Sequence, residues 1–212
     1  MSREYISCAD TAKLIRQAIK EAFPGVKFSV RSHVYSGGAS ITVEWLDGPN
    51  EQQVETVTNR FEASYFDGSI DFKGSIFHML DGKPVRFGAD SIRCNRSNSD
   101  EAIERAISRV YRTFAENFER DGIACPTVAQ YRNGELFNLQ LSGLHTGSNT
   151  QTVQQDIRAA LYKSSDRLAG KTSKTAGRVF TTHDDGYSRS CGSGFSAVAI
   201  DSFHVEGATK NA

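Results

Sequence analysis

Two periodicities of hydrophobic residues divide the first 45 residues of the chain into elements. From Ser7 to Phe23, apolar residues recur every three or four positions, which predicts an amphipathic helix that Pro24-Gly25 ends. Residues 28–45 then alternate between apolar and polar around Ser36-Gly37-Gly38. This alternation predicts a β-hairpin with one buried face.

The next 75 or so residues repeat the same two patterns. The predicted elements are a helix over residues 54–61, strands over residues 69–77 and 83–94 joined at Asp81-Gly82, and a third helix that starts at Ser97 or Ser99 and ends before Gly122. The order helix, hairpin, helix, hairpin, helix predicts an α+β fold. In this fold an antiparallel sheet carries helices packed on one face.

Residues 123–212 are predicted to form a smaller α+β part. Its expected elements are a hairpin over residues 128–141 that turns at Asn133-Gly134, a helix over residues 153–168, and strands at residues 179–180 and 195–200. We therefore predict two domains, residues 1–122 and 123–212, with one continuous fold as the alternative.

Charge and composition narrow the classes of function. The 212 residues carry 25 Lys and Arg against 25 Asp and Glu, a formal net charge of zero. This balance disfavours a globally basic nucleic-acid binder and an acidic DNA mimic, although a local patch remains compatible with it. No apolar run is long enough to span a bilayer, and none follows Arg3 as in a signal peptide, so we expect a cytoplasmic protein.

The four cysteines are too far apart in sequence for a zinc knuckle. A cytoplasmic chain is normally kept reduced, so we expect free thiols. These residues are Cys8, Cys94, Cys125 and Cys191. No metal and no cofactor is predicted.

Two segments contain residue types used in catalysis. Gly170-Lys171-Thr172 is similar to the end of a phosphate-binding loop, but Ser165 stands where that pattern requires glycine. The loop 183–191 combines His183 and Asp184 with Cys191, the groups of a thiol nucleophile activated by a histidine. Its Asp-Asp-Gly run is also ordinary turn chemistry, so both interpretations stay open.

Metal binding has two weak candidates. His183, Cys191 and His204 are eight and thirteen residues apart, which is wider than the repeated close spacing of zinc ligands. Four aspartates among the middle strands could hold a divalent cation or act as acid and base. They are Asp67, Asp71, Asp81 and Asp90. Asp67-Gly68 and Asp81-Gly82 are better explained as turns.

A local excess of positive charge is the most usable signal. Between residues 151 and 180, six cations stand against Asp156 and Asp166, a local charge of +4. The six are Arg158, Lys163, Arg167, Lys171, Lys174 and Arg178. Such a patch binds the phosphates of nucleic acid, docks on an acidic protein face, or is simply the solvated face of a helix.

Short motifs of the first half resemble one known family. They are Ile6–Arg16, Ala22–Arg31, Tyr35–Ile41, Trp45 ahead of Asp47-Gly48-Pro49, Phe66-Asp67-Gly68, and Pro84–Asp90. Taken together, these motifs resemble the large polyvalent-protein-associated domain numbered twenty-nine, over about residues 5–120.

This resemblance implies a genomic setting more than a reaction. Domains of that group occur in proteins of phages and conjugative elements, often within very long polypeptides whose proposed role is to help incoming DNA become established. The resemblance supplies no catalytic residue to transfer to this chain. A short C-terminal extension replaces the long-polypeptide context here, which favours a small dedicated effector.

Three hypotheses follow. The first is a non-enzymatic effector of a phage or plasmid that binds a host bacterial protein complex, such as a CRISPR effector or another defence nuclease, and inhibits it. Its candidate contact residues are the aromatic side chains Trp45, Tyr65, Phe66 and Tyr131. The second is a nucleic-acid-binding accessory protein that uses residues 158–178, and the third is a hydrolase-type enzyme built on residues 183–191 or the middle aspartates.

Overall fold

A computed structural model describes residues 3–145, 151–166 and 170–185. The fold is α+β, as predicted. The described residues divide into two units: residues 3–44, 52–95 and 170–185 form the first, and residues 45–51, 96–145 and 151–166 form the second. The domains 1–122 and 123–212 stay a prediction.

The helices and strands of the described residues have the following bounds. The helices are α1 Cys8–Ala22, α2 Glu51–Thr58, α3 Asp100–Thr113, α4 Ala115–Arg120, α5 Val128–Asn133, α6 Val153–Lys163 and α7 Lys174–Gly177. The strands are β1 Glu4–Ile6, β2 Phe28–Tyr35, β3 Gly38–Leu46, β4 Ser64–Asp67, β5 Phe72–Leu80, β6 Lys83–Phe87, β7 Ser91–Ser97 and β8 Val179–Asp184. Among the described residues, no helix has the length and apolar character needed to cross a membrane.

The strands form two sheets where one antiparallel sheet was expected. A five-stranded sheet has the order β1-β6-β5-β4, with β8 also paired to β5, and a three-stranded sheet has the order β2-β3-β7. The larger sheet is mixed, because β1 runs parallel to β6 while β5 is antiparallel to β4, β6 and β8. The predicted arrangement of hairpins with helices on one face is therefore not confirmed.

The predicted strand over residues 83–94 is two strands. Gly88, Ala89 and Asp90 separate β6 from β7, and the two strands belong to different sheets. Strands β1 and β4 were not predicted at all. Both are short, with three and four residues, so neither carries a readable alternation.

Helix α1 of the first unit forms where the sequence predicted an amphipathic helix. The Ser7 side chain accepts a hydrogen bond from the backbone N–H of Asp10, which caps the helix start. The buried face of α1 includes Ile15 and Ile19, each at most 1% exposed. In the same core, Phe61 meets Phe87 edge to face at 5.5 Å between ring centroids.

Strand β8 joins the first unit from more than 80 residues beyond β7. Its residues pair with Ile76–Leu80 of β5. The segment before β8 is held by Glu21, whose carboxylate accepts hydrogen bonds from the Ser173 hydroxyl at 2.8 Å and the Thr175 N–H at 2.9 Å. The Thr175 N–H, together with the neighbouring side chains, lowers the pKa of Glu21 to about 2.

The second unit is mainly helical. Ser99 caps α3, and the side chains of α3 and α6 contribute Ile103, Ile107 and Ile157 to a common hydrophobic core. The predicted hairpin over residues 128–141 is wrong: residues 128–133 form α5, and residues 135–138 form a short 3₁₀ turn. The predicted helix over residues 153–168 ends as α6 at Lys163, while the predicted strand 195–200 lies outside the described residues.

Local hydrogen bonds explain why the hairpin prediction failed. Thr127 and Gln130 form a reciprocal capping box at the start of α5. Gly134 has φ +75° and ends that helix in the left-handed conformation. Asn133-Gly134 therefore acts as a helix end, because glycine supplies the same positive φ at a helix C-terminus as in a hairpin turn.

Candidate functional site

Four of the six motif segments meet around one surface groove: Ile6–Arg16, Tyr35–Ile41, Phe66-Asp67-Gly68 and Pro84–Asp90. Two cavities of about 400 and 520 Å³ share Tyr35, Lys73 and Asp90 in their walls, and together we call them the groove. Its aromatic and charged lining residues are Tyr5, Tyr35, Glu62, Tyr65, Phe66, Lys73, Arg86 and Asp90. These residues come from β1, β2, β4, β5 and β6 and from the adjoining loops.

Asp90 is the centre of the groove. Its Oδ2 lies 2.9 Å from Lys73 Nζ and accepts the backbone N–H of Ala39 at 3.0 Å. The backbone N–H of Asp90 donates in turn to the Ala39 carbonyl at 2.8 Å. A Cβ at Gly38 would lie 2.7 Å from Asp90 Oδ2, so the Gly-Gly turn of the β2–β3 hairpin leaves the space that this carboxylate occupies.

A second close approach joins β6 to the beginning of the chain. A Cβ at Gly88 would lie 2.6 Å from the Cys8 backbone nitrogen and 2.8 Å from the Ile6 carbonyl oxygen. Since both neighbours are backbone atoms, no side-chain rotation relieves such a contact. Gly88 therefore permits the segment before Asp90 to pass directly against the start of α1.

The rim of the groove is apolar and exposed. Tyr5 is 64% exposed, Val34 73% and Phe66 65%. Arg86 is also exposed on β6. Exposed aromatic and arginine side chains around a concave surface are the residue types that dominate binding energy at protein interfaces.

Tyr65 is held in place at the groove. Its ring lies against β5 at Gly74, where a Cβ would come within 2.2 Å of Tyr65 Cζ. Its hydroxyl donates to the Asp185 carboxylate, which also accepts the Ser75 N–H at 2.7 Å. The residue just after β8 therefore fixes one wall of the groove.

Burial shifts the pKa of two ionisable groups of the groove, Cys8 and Glu62. Burial raises the pKa of the Cys8 thiol, the opposite of the shift that activates a cysteine. Burial also raises the pKa of Glu62, whose carboxylate accepts the Ile92 N–H at 3.0 Å. The groove offers contact area, the Lys73–Asp90 ion pair and the exposed guanidinium of Arg86.

The four proposed aromatic contact residues have different placements. Tyr65 and Phe66 line the groove. Trp45 is only 4% exposed and donates its indole N–H to the Pro49 carbonyl at 2.9 Å, so it lies in the interior and not on a surface. Tyr131 belongs to the second unit, where it lines a smaller pocket.

The middle aspartates do not converge. Asp67 accepts hydrogen bonds from the Ser69 N–H and hydroxyl, as a turn residue does. Asp71 and Asp81 have positive φ in turns, Asp81 pairs with Arg178, and Asp90 pairs with Lys73. Within the described part of the chain, no three His, Cys, Asp or Glu side chains are grouped closely enough to hold a metal ion.

The two proposed reactive segments have structural contacts where they are described. His183 stacks on Phe77 at 4.3 Å between ring centroids, while Cys191 and His204 lie outside the described residues. The Lys171 N–H donates to the Ala22 carbonyl at the end of α1. Gly170, Lys171 and Thr172 are themselves in neither a helix nor a strand, and residues 167–169 before them lie outside the described residues.

The basic stretch is divided between the units. Arg158 and Lys163 lie on α6 of the second unit. Lys171, Lys174 and Arg178 lie in the first unit, and Arg178 is paired with Asp81, its Nε donating to Asp81 Oδ1 at 2.8 Å. Arg167 lies outside the described residues. Binding by this stretch stays a prediction.

The comparison with known families bears on the same part of the chain as the groove. Residues 6–99 match the family model of the large polyvalent protein associated domain 29. The resemblance seen in the short motifs is confirmed over this range, which is slightly less than half of the 212 residues. Domains of this family are associated with polyvalent proteins of phages and mobile elements.

The residues that match the model of domain 29 include all the lining residues of the groove named above except Tyr5. Comparison of the chain with curated proteins and with solved structures found no match. Sequence reasoning had picked out Tyr65 and Phe66 but missed Tyr5, Lys73 and Arg86. The motifs that resemble domain 29 could have pointed to this part of the surface, because residues of Tyr35–Ile41 and of Pro84–Asp90 line the groove.

Proposed function

We propose that this protein is a non-enzymatic accessory effector of a phage or plasmid that acts by binding a bacterial protein complex through the groove. A defence nuclease such as a CRISPR effector is the candidate target. The observation that carries the proposal is the exposed rim of Tyr5, Val34 and Phe66 around the Lys73–Asp90 pair. The genomic association of domain 29 supports a role in the encounter between a mobile element and its host.

The charge of the groove favours a protein over a nucleic acid. Lys73 and Arg86 are balanced by Glu62 and Asp90, so the lining has no net charge at neutral pH. Nucleic-acid binding depends on an excess of cations that displaces counterions from phosphates. A protein surface with both signs of charge and apolar residues complements this lining better.

The test is affinity purification from bacterial lysate with a variant of the groove. The variant combines Tyr35→Ala and Phe66→Ala, and Phe180→Ala is the matched control. Phe180 is 57% exposed, on β8 of the same unit, and does not line the groove. We expect a stoichiometric protein complex that wild type and Phe180→Ala capture and the double variant does not.

The captured complex is then purified and its affinity measured directly. Loss of two interface aromatics is worth about 1–2 kcal/mol each, which weakens binding by at least tenfold. Equal affinity of the double variant and wild type contradicts the proposal. So does capture of nucleic acid alone, with an affinity that falls steeply with salt and is lost when Lys171, Lys174 and Arg178 are replaced by Ala.

A further inference from the structure

The second unit contains a pocket of its own, with a volume of about 170 Å³. Its polar lining residues are Glu51, Arg96, Asn98, Tyr131, Arg158 and Tyr162. We propose that this pocket binds the phosphoryl group of a small phosphorylated ligand. The pocket brings together Arg158 and Tyr131, two residues that the sequence had suggested for separate roles.

Unsatisfied polar atoms cluster at the walls of this pocket. Arg96 Nε and Asn98 Oδ1 are buried and have no hydrogen-bond partner among the described residues. The same is true of Gln154 Oε1, whose amide nitrogen donates to the Tyr131 carbonyl at 3.1 Å. Three of the six such atoms in the described residues therefore belong to or adjoin one pocket. Arg96 Nε is a donor that suits an anion, whereas Asn98 Oδ1 and Gln154 Oε1 are acceptors, which call for a water or for a hydroxyl of the ligand.

The first of the two guanidinium groups is fixed before any ligand arrives. Arg96 Nη1 donates to the Leu161 carbonyl at 3.3 Å and to the Ser164 carbonyl at 2.7 Å, at the end of α6. The backbone N–H of Arg96 donates to Glu51 Oε1 at 3.0 Å, which offsets part of that carboxylate's charge. A donor held in this way loses little entropy when it binds an anion.

The second guanidinium is available for binding. Arg158 lies over the Phe137 ring, 4.6 Å from its centroid, and forms no ion pair with a described residue. Stacking uses the face of the guanidinium and leaves its N–H edge free. Guanidinium groups match the oxygens of a phosphate in geometry as well as in charge.

Size and shape indicate how such a ligand is held. The volume is below the 300–1,000 Å³ that encloses a drug-sized molecule, so the pocket takes one end of a ligand. Two arginines and one glutamate, Glu51, line the pocket, so its net positive charge favours a ligand whose bound end is anionic. Tyr162 is 56% exposed and, with Tyr131, offers an aromatic ring to a planar group such as a base.

The test is calorimetric titration of the full chain with three probes: inorganic phosphate, AMP and adenosine. The variant is Arg158→Gln, and Lys163→Gln is the matched control. Both residues are exposed on α6 and both changes remove one positive charge, but only Arg158 lines the pocket. Thermal unfolding of both variants is measured beside wild type, to check that each variant keeps the fold.

We expect phosphate and AMP to bind wild type with dissociation constants below about 1 mM, weakened at least tenfold in Arg158→Gln and less than twofold in Lys163→Gln. Tighter binding of AMP than of phosphate identifies a nucleotide as the source of the phosphoryl group, and equal binding identifies free phosphate. Absence of binding by both anions, equal weakening by the two variants, or adenosine binding as tightly as AMP overturns the proposal.

Discussion

At the scale of single residues, the glycines of the groove act through the space they leave empty. Gly38 leaves room for the Asp90 carboxylate, and Gly88 lets its segment pass against the backbone of residues 6–8. These two positions explain why motifs distant in sequence contain glycine next to polar residues.

Gly88→Ala tests this account of backbone contact. The new Cβ would meet the Cys8 nitrogen and the Ile6 carbonyl oxygen at less than 3 Å, so the backbone must move. We expect the free energy of unfolding in urea to fall by about 2 kcal/mol. Gly177→Ala is the control, since no atom lies within 4 Å of its added Cβ, and we expect a change below about 0.5 kcal/mol there. Equal effects of the two substitutions contradict the account.

The imidazole of His78 is buried and forms no hydrogen bond with a described residue. It is 2% exposed, both ring nitrogens lack a partner among the described residues, and burial lowers its pKa to about 4. In the unfolded chain the imidazole binds its proton near pH 6.5. Between these two values the unfolded state binds more protons, so the free energy of unfolding falls as the pH falls.

His78→Leu is expected to remove this pH dependence. Between pH 7 and pH 5, wild type should lose on the order of 2 kcal/mol relative to the variant. Urea unfolding of both proteins at the two pH values measures the difference. The exposed His33 on β2 serves as control, because His33→Leu should keep the wild-type dependence. A pH-independent difference between wild type and His78→Leu would refute the assignment of His78.

At the scale of elements, strand β8 completes the five-stranded sheet of the first unit. Strand β8 pairs with β5 but lies outside the matched residues 6–99. Polar contacts hold β8 at both ends. Before the strand, Glu21 accepts the Thr175 N–H and Asp81 pairs with Arg178, and after it Asp185 accepts the Ser75 N–H. A fragment limited to the matched residues therefore leaves one edge of β5 unpaired, and unpaired edges promote association.

Two neighbouring substitutions on β8 measure this contribution. Val179 is 4% exposed, whereas Phe180 beside it is 57% exposed. Val179→Asp should lower the free energy of unfolding by more than 2 kcal/mol and increase hydrogen exchange in β5, because it buries an unpaired charge. Phe180→Asp should change it by less than about 0.5 kcal/mol. Similar small effects of both would show that β8 is not integral to the fold.

Elements that depend on residues close in sequence could be predicted, whereas those that depend on distant contacts could not. Ser7 marked the start of α1, and Ser99, one of the two predicted starts, caps α3, since capping depends on residues three positions apart. The prediction of a hairpin at Asn133-Gly134 was wrong, because the same dipeptide can end a helix, as it does here for α5. The pairing of β8 with β5 and the meeting of Tyr5, Lys73 and Arg86 depend on contacts distant in sequence, which periodicity does not encode.

At the scale of the whole molecule, the neutral overall charge hides a difference between the units. The described residues of the first unit contain 14 Lys and Arg against 12 Asp and Glu, a net charge of +2. Those of the second unit contain 8 against 11, a net charge of −3. Arg158 and Lys163 therefore belong to an acidic unit, which favours a local pocket over a broad surface for nucleic acid.

The central claim is that the groove of the first unit is where a protein partner binds. Hydrogen exchange of the purified complex tests it most directly, because protection maps the contact surface without any substitution. We predict that amides of residues 33–39, 64–66 and 86–91 exchange more slowly in the complex than in the free protein, while those of β8 keep their rate. Protection confined to the second unit, or unchanged exchange in all three groove segments, would contradict the claim.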